Sequence, residues 1–311
     1  MGPSLIAPPH QHAGAARSPL RSLLLVLSFV RYRFFLYAGL LPYGLGAAWA
    51  YGVAGAFDAA VFWSGLGGIV LAVVGVESFN EYFDDRMGTD RVFNPQDLAP
   101  MSVWVLWLGV AAFAGALAVG VHLTLRAGWP ILAFAVLGGL AAIFYVAPPI
   151  RWAYRGLGET VIALSYGPWM VLGSLYLHTR ELSWGAFWAS LVPGFLIMSL
   201  AVVNAIPDFH QDRLVGKRNL VVRLGRRRGV WLYLLLATAG LLTIVAGVIA
   251  GQFPAGCLTA LLALPLLVAS ARAAQHSYES PRQFVPAIRA IVACYALALA
   301  LFIAGVALAH P

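Results

Sequence analysis

Between Val103 and Leu125 the chain carries no Asp, Glu, Lys or Arg, and comparable uncharged runs recur along its length. A hydrocarbon core about 30 Å thick takes roughly 20 apolar helical residues to cross, and lipid offers the backbone no hydrogen-bond partner outside its own segment. Such runs must be helices. Bounded by Gly, Pro or charge, they predict spans at 34–52, 59–80, 102–124, 129–147, 157–178, 184–205, 230–250, 254–272 and 284–308. The expected fold is all-α, a polytopic membrane bundle of about nine transmembrane helices. With 61% hydrophobic and 10% charged residues, the chain lacks the polar surface of a soluble globule, whose charged share is about 25%.

Nine spans use almost all of the 311 residues, so 19–311 is expected to be a single transmembrane domain. Residues 1–18, rich in Pro, Ala and His without helical period, read as a mobile N-terminal tail, with His10 and His12 as tail residues. Leu20 to Val30 is followed at once by Arg31, Arg33 and a full-length span. It is expected to be an interfacial helix, not a cleaved signal. Cys257 and Cys294 lie in apolar runs and read as small buried hydrophobes.

The basic residues fix an orientation. Arg17, Arg21, Arg31 and Arg33 precede span one, and Arg86 and Arg91 follow span two. Arg151 and Arg155 follow span four, seven basic residues from Arg213 to Arg228 follow span six, and Arg272, Arg282 and Arg289 surround the start of span nine. Only Arg126 and Arg180 face the other way, which places the N-terminus in the cytoplasm and the C-terminus outside. The net charge of +8 is thus an insertion signal. The expected partner is the lipid bilayer, with no nucleic acid, and the expected location is the cell inner (plasma) membrane, multi-pass.

Asp and Glu have no insertion reason to follow the arginines, yet ten of the twelve do; Asp58 and Glu181 are the exceptions. Several sit at helix ends, where an unpaired carboxylate at membrane depth costs a few kcal/mol. Their pattern repeats. Span two ends in Asn80-Glu-Tyr-Phe-Asp84-Asp85-Arg-Met-Gly-Thr-Asp90, and span six ends in Asn204-Ala-Ile-Pro-Asp208-Phe-His-Gln-Asp212. Helical residues four apart share a face, so each N-x-x-x-D forms a strip of oxygen ligands. Asp90 joins its strip only if the helix unwinds near Gly88, and Pro207 should free the Val203 carbonyl and kink span six. Asp85, Asp97 and Glu279 read as a solvated rim, and His210 points off the strip.

Two facing acidic strips repel unless a cation lies between them. Hard oxygen ligands suit Mg2+, which is held by few carboxylates together with waters and phosphate oxygens. The interleaved Lys217 and arginines supply donors for a diphosphate.

At these motifs the chain resembles the UbiA-type intramembrane prenyltransferase superfamily, over nearly its whole length from about residue 31. Gly216-Lys-Arg-Asn-Leu-Val-Val-Arg-Leu-Gly225, Tyr145-Val-Ala-Pro-Pro-Ile-Arg151, Tyr154-Arg-Gly-Leu-Gly-Glu159 and Gly167-Pro-Trp-Met-Val-Leu-Gly173 resemble the menaquinone branch, whose members prenylate 1,4-dihydroxy-2-naphthoate. The six-residue step from Asp84 to Asp90 fits that branch too. The resemblance implies that Asn80, Asp84, Asp90, Asn204, Asp208 and Asp212 hold magnesium and the diphosphate, that Arg151 and Lys217 contact the diphosphate, and that Tyr145 faces the allylic cation. Arg33 is assigned with the diphosphate contacts. Two departures stand out: Glu81 where Asp is commoner, and Pro207 where the branch often has an arginine suited to an acceptor carboxylate.

The expected reaction moves a polyprenyl chain from an allylic diphosphate to an aromatic acceptor of naphthoate type. Magnesium and basic residues assist ionisation; Tyr145, Tyr82, Trp152 or Tyr166 shields the cation; Glu77 or Glu159 serves as base. Gly65, Gly68, Gly173 and Ala201 are small residues able to make room for the tail. The rival readings are a terpene cyclase, with the same ionising site and no acceptor, and an ion-coupled secondary transporter, whose acids would lie at the bilayer midplane instead of its edge.

Overall fold

The computed structural model describes residues 39–87 and 102–309. The tail at 1–18, the interfacial segment at 20–30, Arg33, Gly88 and Asp90 therefore lie outside the described residues. Among the described residues there is no strand.

The chain runs α1 (Leu41–Gly52), α2 (Ala59–Met87), α3 (Val103–Ala127), α4 (Pro130–Ile143), α5 (Trp152–Arg155) and α6 (Gly158–Leu164). A π-helical turn (Ser165–Trp169) joins α6 to α7 (Met170–Thr179). There follow α8 (Trp184–Ala205), α9 (Phe209–Leu214), α10 (Leu220–Leu224), α11 (Arg226–Ile249), a 3-10 segment (Ala255–Ala263), α12 (Leu264–Ser277) and α13 (Pro281–Ala307).

Among the described residues, seven helical units are long and apolar enough to cross a membrane: α2, α3, α6 through α7, α8, α11, the 3-10 segment with α12, and α13. The runs at 34–52 and 129–147 give shorter helices. α1 has 12 residues and begins next to residues outside the description, and α4 has 14.

Local chemistry explains several starts. Ser102 Oγ accepts from the Trp104 N–H at the head of α3, and Ser183 Oγ accepts from the Ala186 N–H at the head of α8. Proline occupies the first turn of α4, α12 and α13, where its missing N–H has no intrahelical partner to lose. The crossing from α6 to α7 is bent at Gly167 (φ −97°, ψ −106°), and a Cβ there would stand 2.8 Å from the Ser190 carbonyl of α8. Glycine permits both the backbone angle and that approach.

The main apolar core is built from α1, α7, α8, α11, α12, α13 and the 3-10 segment, with Tyr233, Phe284, Tyr295 and Phe302 fully buried. α2 packs along α3, and a much smaller cluster around Tyr43, Val61, Leu123 and Ile131 closes one end of that pair. Outward faces carry exposed leucines and tryptophans, as lipid contact requires. Trp63, Trp129 and Trp184 stand at the starts of α2, α4 and α8, while Trp104, Trp107 and Trp231 stand at the starts of α3 and α11. Aromatic rings of this kind favour the two bilayer interfaces.

Candidate active site

The C-terminal end of α2 carries Asn80 and Asp84, one helical turn apart on one face. The second cluster is built differently from the expected kinked helix. α8 stops at Ala205; Asp208 (φ −85°, ψ 2°) stands before the short α9, which carries Asp212. Proline has no N–H for the Val203 carbonyl, and the Ile206 N–H takes that carbonyl at 3.3 Å instead. The strip from Asn204 to Asp212 is therefore split between two helices, although all three residues reach the same space.

That space is a cavity of about 400 Å³. Its wall includes Asn80 and Asp84 from α2, Asn204, Asp208 and Asp212 from the second cluster, and Lys217. Tyr145, Tyr166, Glu77 and Glu159 also face it. Lys217 joins the clusters: its Nζ lies 3.3 Å from Asp84 Oδ1 and 3.8 Å from Asp212 Oδ1. Burial works to lower the Lys217 ammonium, but Asp84 and Asp212 outweigh it and hold it above the usual lysine range. Burial pushes the Asp212 carboxyl up, opposed by Lys217 and by Asn219, whose Nδ2 donates to Asp212 Oδ2 at 2.6 Å. One ammonium is thus shared by two acids, and more carboxylates stand behind them.

The donor set fits magnesium. Asn80 Oδ1 is buried and accepts no hydrogen bond. Among the described residues no three Asp, Glu, His or Cys side chains converge to hold a metal unaided. Magnesium commonly takes only one or two carboxylates and fills its octahedron with water and substrate phosphate.

Other expected residues fall in different places. Arg151 is not in the cavity wall; its guanidinium lies 5.7 Å from the Tyr154 ring centroid, and Lys217 Nζ lies 5.7 Å from the same ring. Tyr82 and Trp152 are also outside the wall; the Tyr82 ring lies beneath the Arg86 guanidinium at 4.7 Å. Glu159 is buried, with Oε1 accepting from the Leu220 N–H at 2.9 Å, so it caps α10 directly after the Lys217 segment.

Two contributors had no role assigned from the sequence. Asn219 caps α10 by accepting from the Val222 N–H at 2.8 Å and orients Asp212 with its amide. Tyr154 stands between Lys217 and Arg151. Both lie in motif tracts, and Asn219 precedes an apolar turn, which was the available signal for a cap.

A second cavity of about 470 Å³ adjoins the first and is almost wholly apolar. Gly65, Gly68 and Gly173 line it, with Tyr43 and Leu177 among its other walls, whereas Ala201 lines the polar cavity.

Comparison with known proteins gives a consistent likeness. Residues 39–293 match the model described as UbiA prenyltransferase family. The chain is 32% identical, over 249 residues covering 76% of it and 83% of the relative, to a 1,4-dihydroxy-2-naphthoate octaprenyltransferase from Mycobacterium tuberculosis. It is 26% identical, over 78% of its length and 80% of the relative's, to a 2-carboxy-1,4-naphthoquinone phytyltransferase from Synechocystis. In fold it resembles a UbiA homolog from Archaeoglobus fulgidus solved bound to GPP and Mg2+, with a TM-score of 0.59, 17% identity, and coverage of 89% of this chain and 99% of that one.

Proposed function

Because the chain belongs to the UbiA prenyltransferase family, we propose that it moves a polyprenyl chain from an allylic diphosphate to an aromatic acceptor of naphthoate type. The observation that carries this reading is one cavity walled by both Asn/Asp clusters and Lys217, adjoining an apolar cavity fit for an isoprenoid tail. The named activities of the M. tuberculosis and Synechocystis relatives support the acceptor class, and the A. fulgidus homolog bound to GPP and Mg2+ supports the donor and metal. The orientation read from the arginines, nine crossings with the N-terminus cytoplasmic, belongs to the same proposal, with α1 and α4 as the two short crossings. So do the plasma membrane as location and 19–311 as the transferase domain.

Asn80, Asp84, Asn204, Asp208 and Asp212 would hold magnesium and, through it, the diphosphate, with Asp90 assigned to the same set. When bound, the metal neutralises charge developing on the diphosphate leaving group. Lys217 adds a buried ammonium to that task, free to exchange its carboxylate partners for phosphate oxygens. Arg151, outside the wall, is assigned to the diphosphate, as is Arg33. The C–O bond breaks with its electron pair leaving on the diphosphate, and the allylic cation is shielded by Tyr145 and Tyr166. Attack by the electron-rich ring forms the new C–C bond, and the ring proton or carbon dioxide departs. Glu77 is assigned to take the proton, with Glu159, which faces the same cavity but already accepts from the Leu220 N–H, as the second carboxylate candidate.

Purified protein in liposomes, given polyprenyl diphosphates with a panel of aromatic acceptors, should yield prenylated naphthoate products by mass spectrometry. A magnesium chelator should abolish product, and added Mg2+ should restore it. Transfer insensitive to the chelator would exclude the metal-assisted reading, and a cyclised hydrocarbon formed without acceptor would replace it with a cyclase.

A further inference from the structure

The two cavities meet at a neck whose residues line both: Ile69 and Ala72 from α2, Gly138 and Ala142 from α4, and Ser165 and Met170 from the bent crossing. Along α4 and the turn after it the lining passes from one cavity to the other: Ala135 lines the apolar cavity alone, Gly138 and Ala142 line both, and Tyr145, just beyond the helix end at Ile143, lines the polar cavity alone. A tail leaving the diphosphate site for the apolar cavity passes Gly138.

Nothing in the packing calls for glycine at that position. It sits inside a regular helix, its φ is not in the left-handed range, and a Cβ built there meets no atom within 4 Å. Other glycines of the same cavities differ: at Gly65 a Cβ would collide with the Tyr43 hydroxyl, and at Gly68 it would stand 3.0 Å from Val119 Cγ1. Glycine in a helix interior is unfavourable relative to alanine, and here the only thing it preserves is open space on the cavity side.

We propose that Gly138 is the specificity-determining residue of the neck: the missing side chain sets the width through which the donor's tail runs, and so admits long isoprenoid diphosphates. The inference rests on the function proposed above. It assigns Gly138 no part in holding the diphosphate.

The test is a graded series, Gly138→Ala, Gly138→Leu and Gly138→Phe, in full-length protein in liposomes. KM is measured for a long polyprenyl diphosphate, and Ki for inorganic diphosphate competing with it. Gly67→Phe, at an exposed α2 position equally free of neighbours and outside both cavity walls, controls for added bulk in the membrane. The expected result is a stepwise rise in KM reaching at least about ten-fold for phenylalanine, the scale on which an apolar pocket rejects a misfit, with Ki unchanged and Gly67→Phe like wild type. An unchanged KM across the series overturns the proposal. So does a parallel rise in Ki, which would make Gly138 a general support of the polar site. Absence of any transfer by the unaltered protein would instead bring down the proposed function, a result distinct from both.

Discussion

α2 carries one N-x-x-x-D signature at its end and α8 carries the Asn of the other, with Asp208 just beyond it; both deliver ligands to one cavity, yet the helices are of opposite kinds. α8 is buried among α11, α13 and the crossing from α6 to α7, with Val192, Leu196, Val202 and Val203 sealed inside the main core. α2 packs chiefly on α3, and its inner face is the wall of two cavities. The same motif therefore serves on a packed post and on an open wall. What it needs is a helix end at the right depth, not a particular degree of burial: α8 reaches the polar cavity at its C-terminal end, whereas α2 walls both cavities.

The strongest way to break this comparison is to remove one carboxylate from the cluster at the end of each helix. Asp84→Asn and Asp208→Asn are each expected to lower transfer by on the order of 100-fold or more, with protein still inserted and folded. Near-normal turnover in one variant alone would mean that its helix is scaffold and that the chemistry is one-sided. Lys217→Met removes the ammonium that spans the two clusters. Its expected cost is about 10- to 100-fold in kcat/KM for the diphosphate donor, as befits a charge-assisted contact. An unchanged kcat/KM would show that the bridge to Asp84 and Asp212 has no counterpart with substrate.

Packing should separate the helices next. At Gly240 of α11, a Cβ would stand 2.9 Å from Leu196 Cγ of α8, so Gly240→Leu is expected to destabilise by about 1–3 kcal/mol. Gly67→Leu on α2, with no neighbour to meet, should stay within about 0.5 kcal/mol. Thermal unfolding in detergent measures both, and equal losses would erase the distinction between post and wall. The smallest effect is expected at Glu159→Gln, which keeps an oxygen for the Leu220 N–H: under about three-fold in kcat if capping is its whole contribution, by the modest net worth of one hydrogen bond. A much larger loss of kcat at unchanged stability would mark Glu159 as the proton acceptor.

Much of this was legible in the chain because lipid removes alternatives. An uncharged run of membrane length has one way to satisfy its backbone, so among the described residues seven predicted runs are helical units long enough to cross and those at 34–52 and 129–147 give shorter helices, while the repeated N-x-x-x-D pointed to residues that do share a cavity. Helical phase, however, tells which residues share a face and not toward which neighbour that face turns. Tyr82 and Trp152 were lost for that reason: they sit beside site residues in sequence and turn elsewhere. The break after Ala205 was anticipated as a kink, because Pro207 declares a lost hydrogen bond without saying whether the helix resumes. Asn219 and Tyr154 act through contacts made only when α10 and α5 fold against the cavity, a tertiary fact with no spacing of its own.

The shortness of α4 has a consequence for the bilayer itself. Fourteen residues rise about 21 Å, against a hydrocarbon core of about 30 Å. Lipids touching that helix must thin, or polar loop and headgroup must follow the chain inward, at a small cost for each ångström of mismatch. In the proposed arrangement with α4 as a crossing, the headgroup layer beside it would dip toward the protein, near the end that leads into Tyr145 and the polar cavity. An amphiphile approaching there keeps its charged head in a polar layer for more of its path, and the depth of that dip ties the rate of entry to membrane thickness.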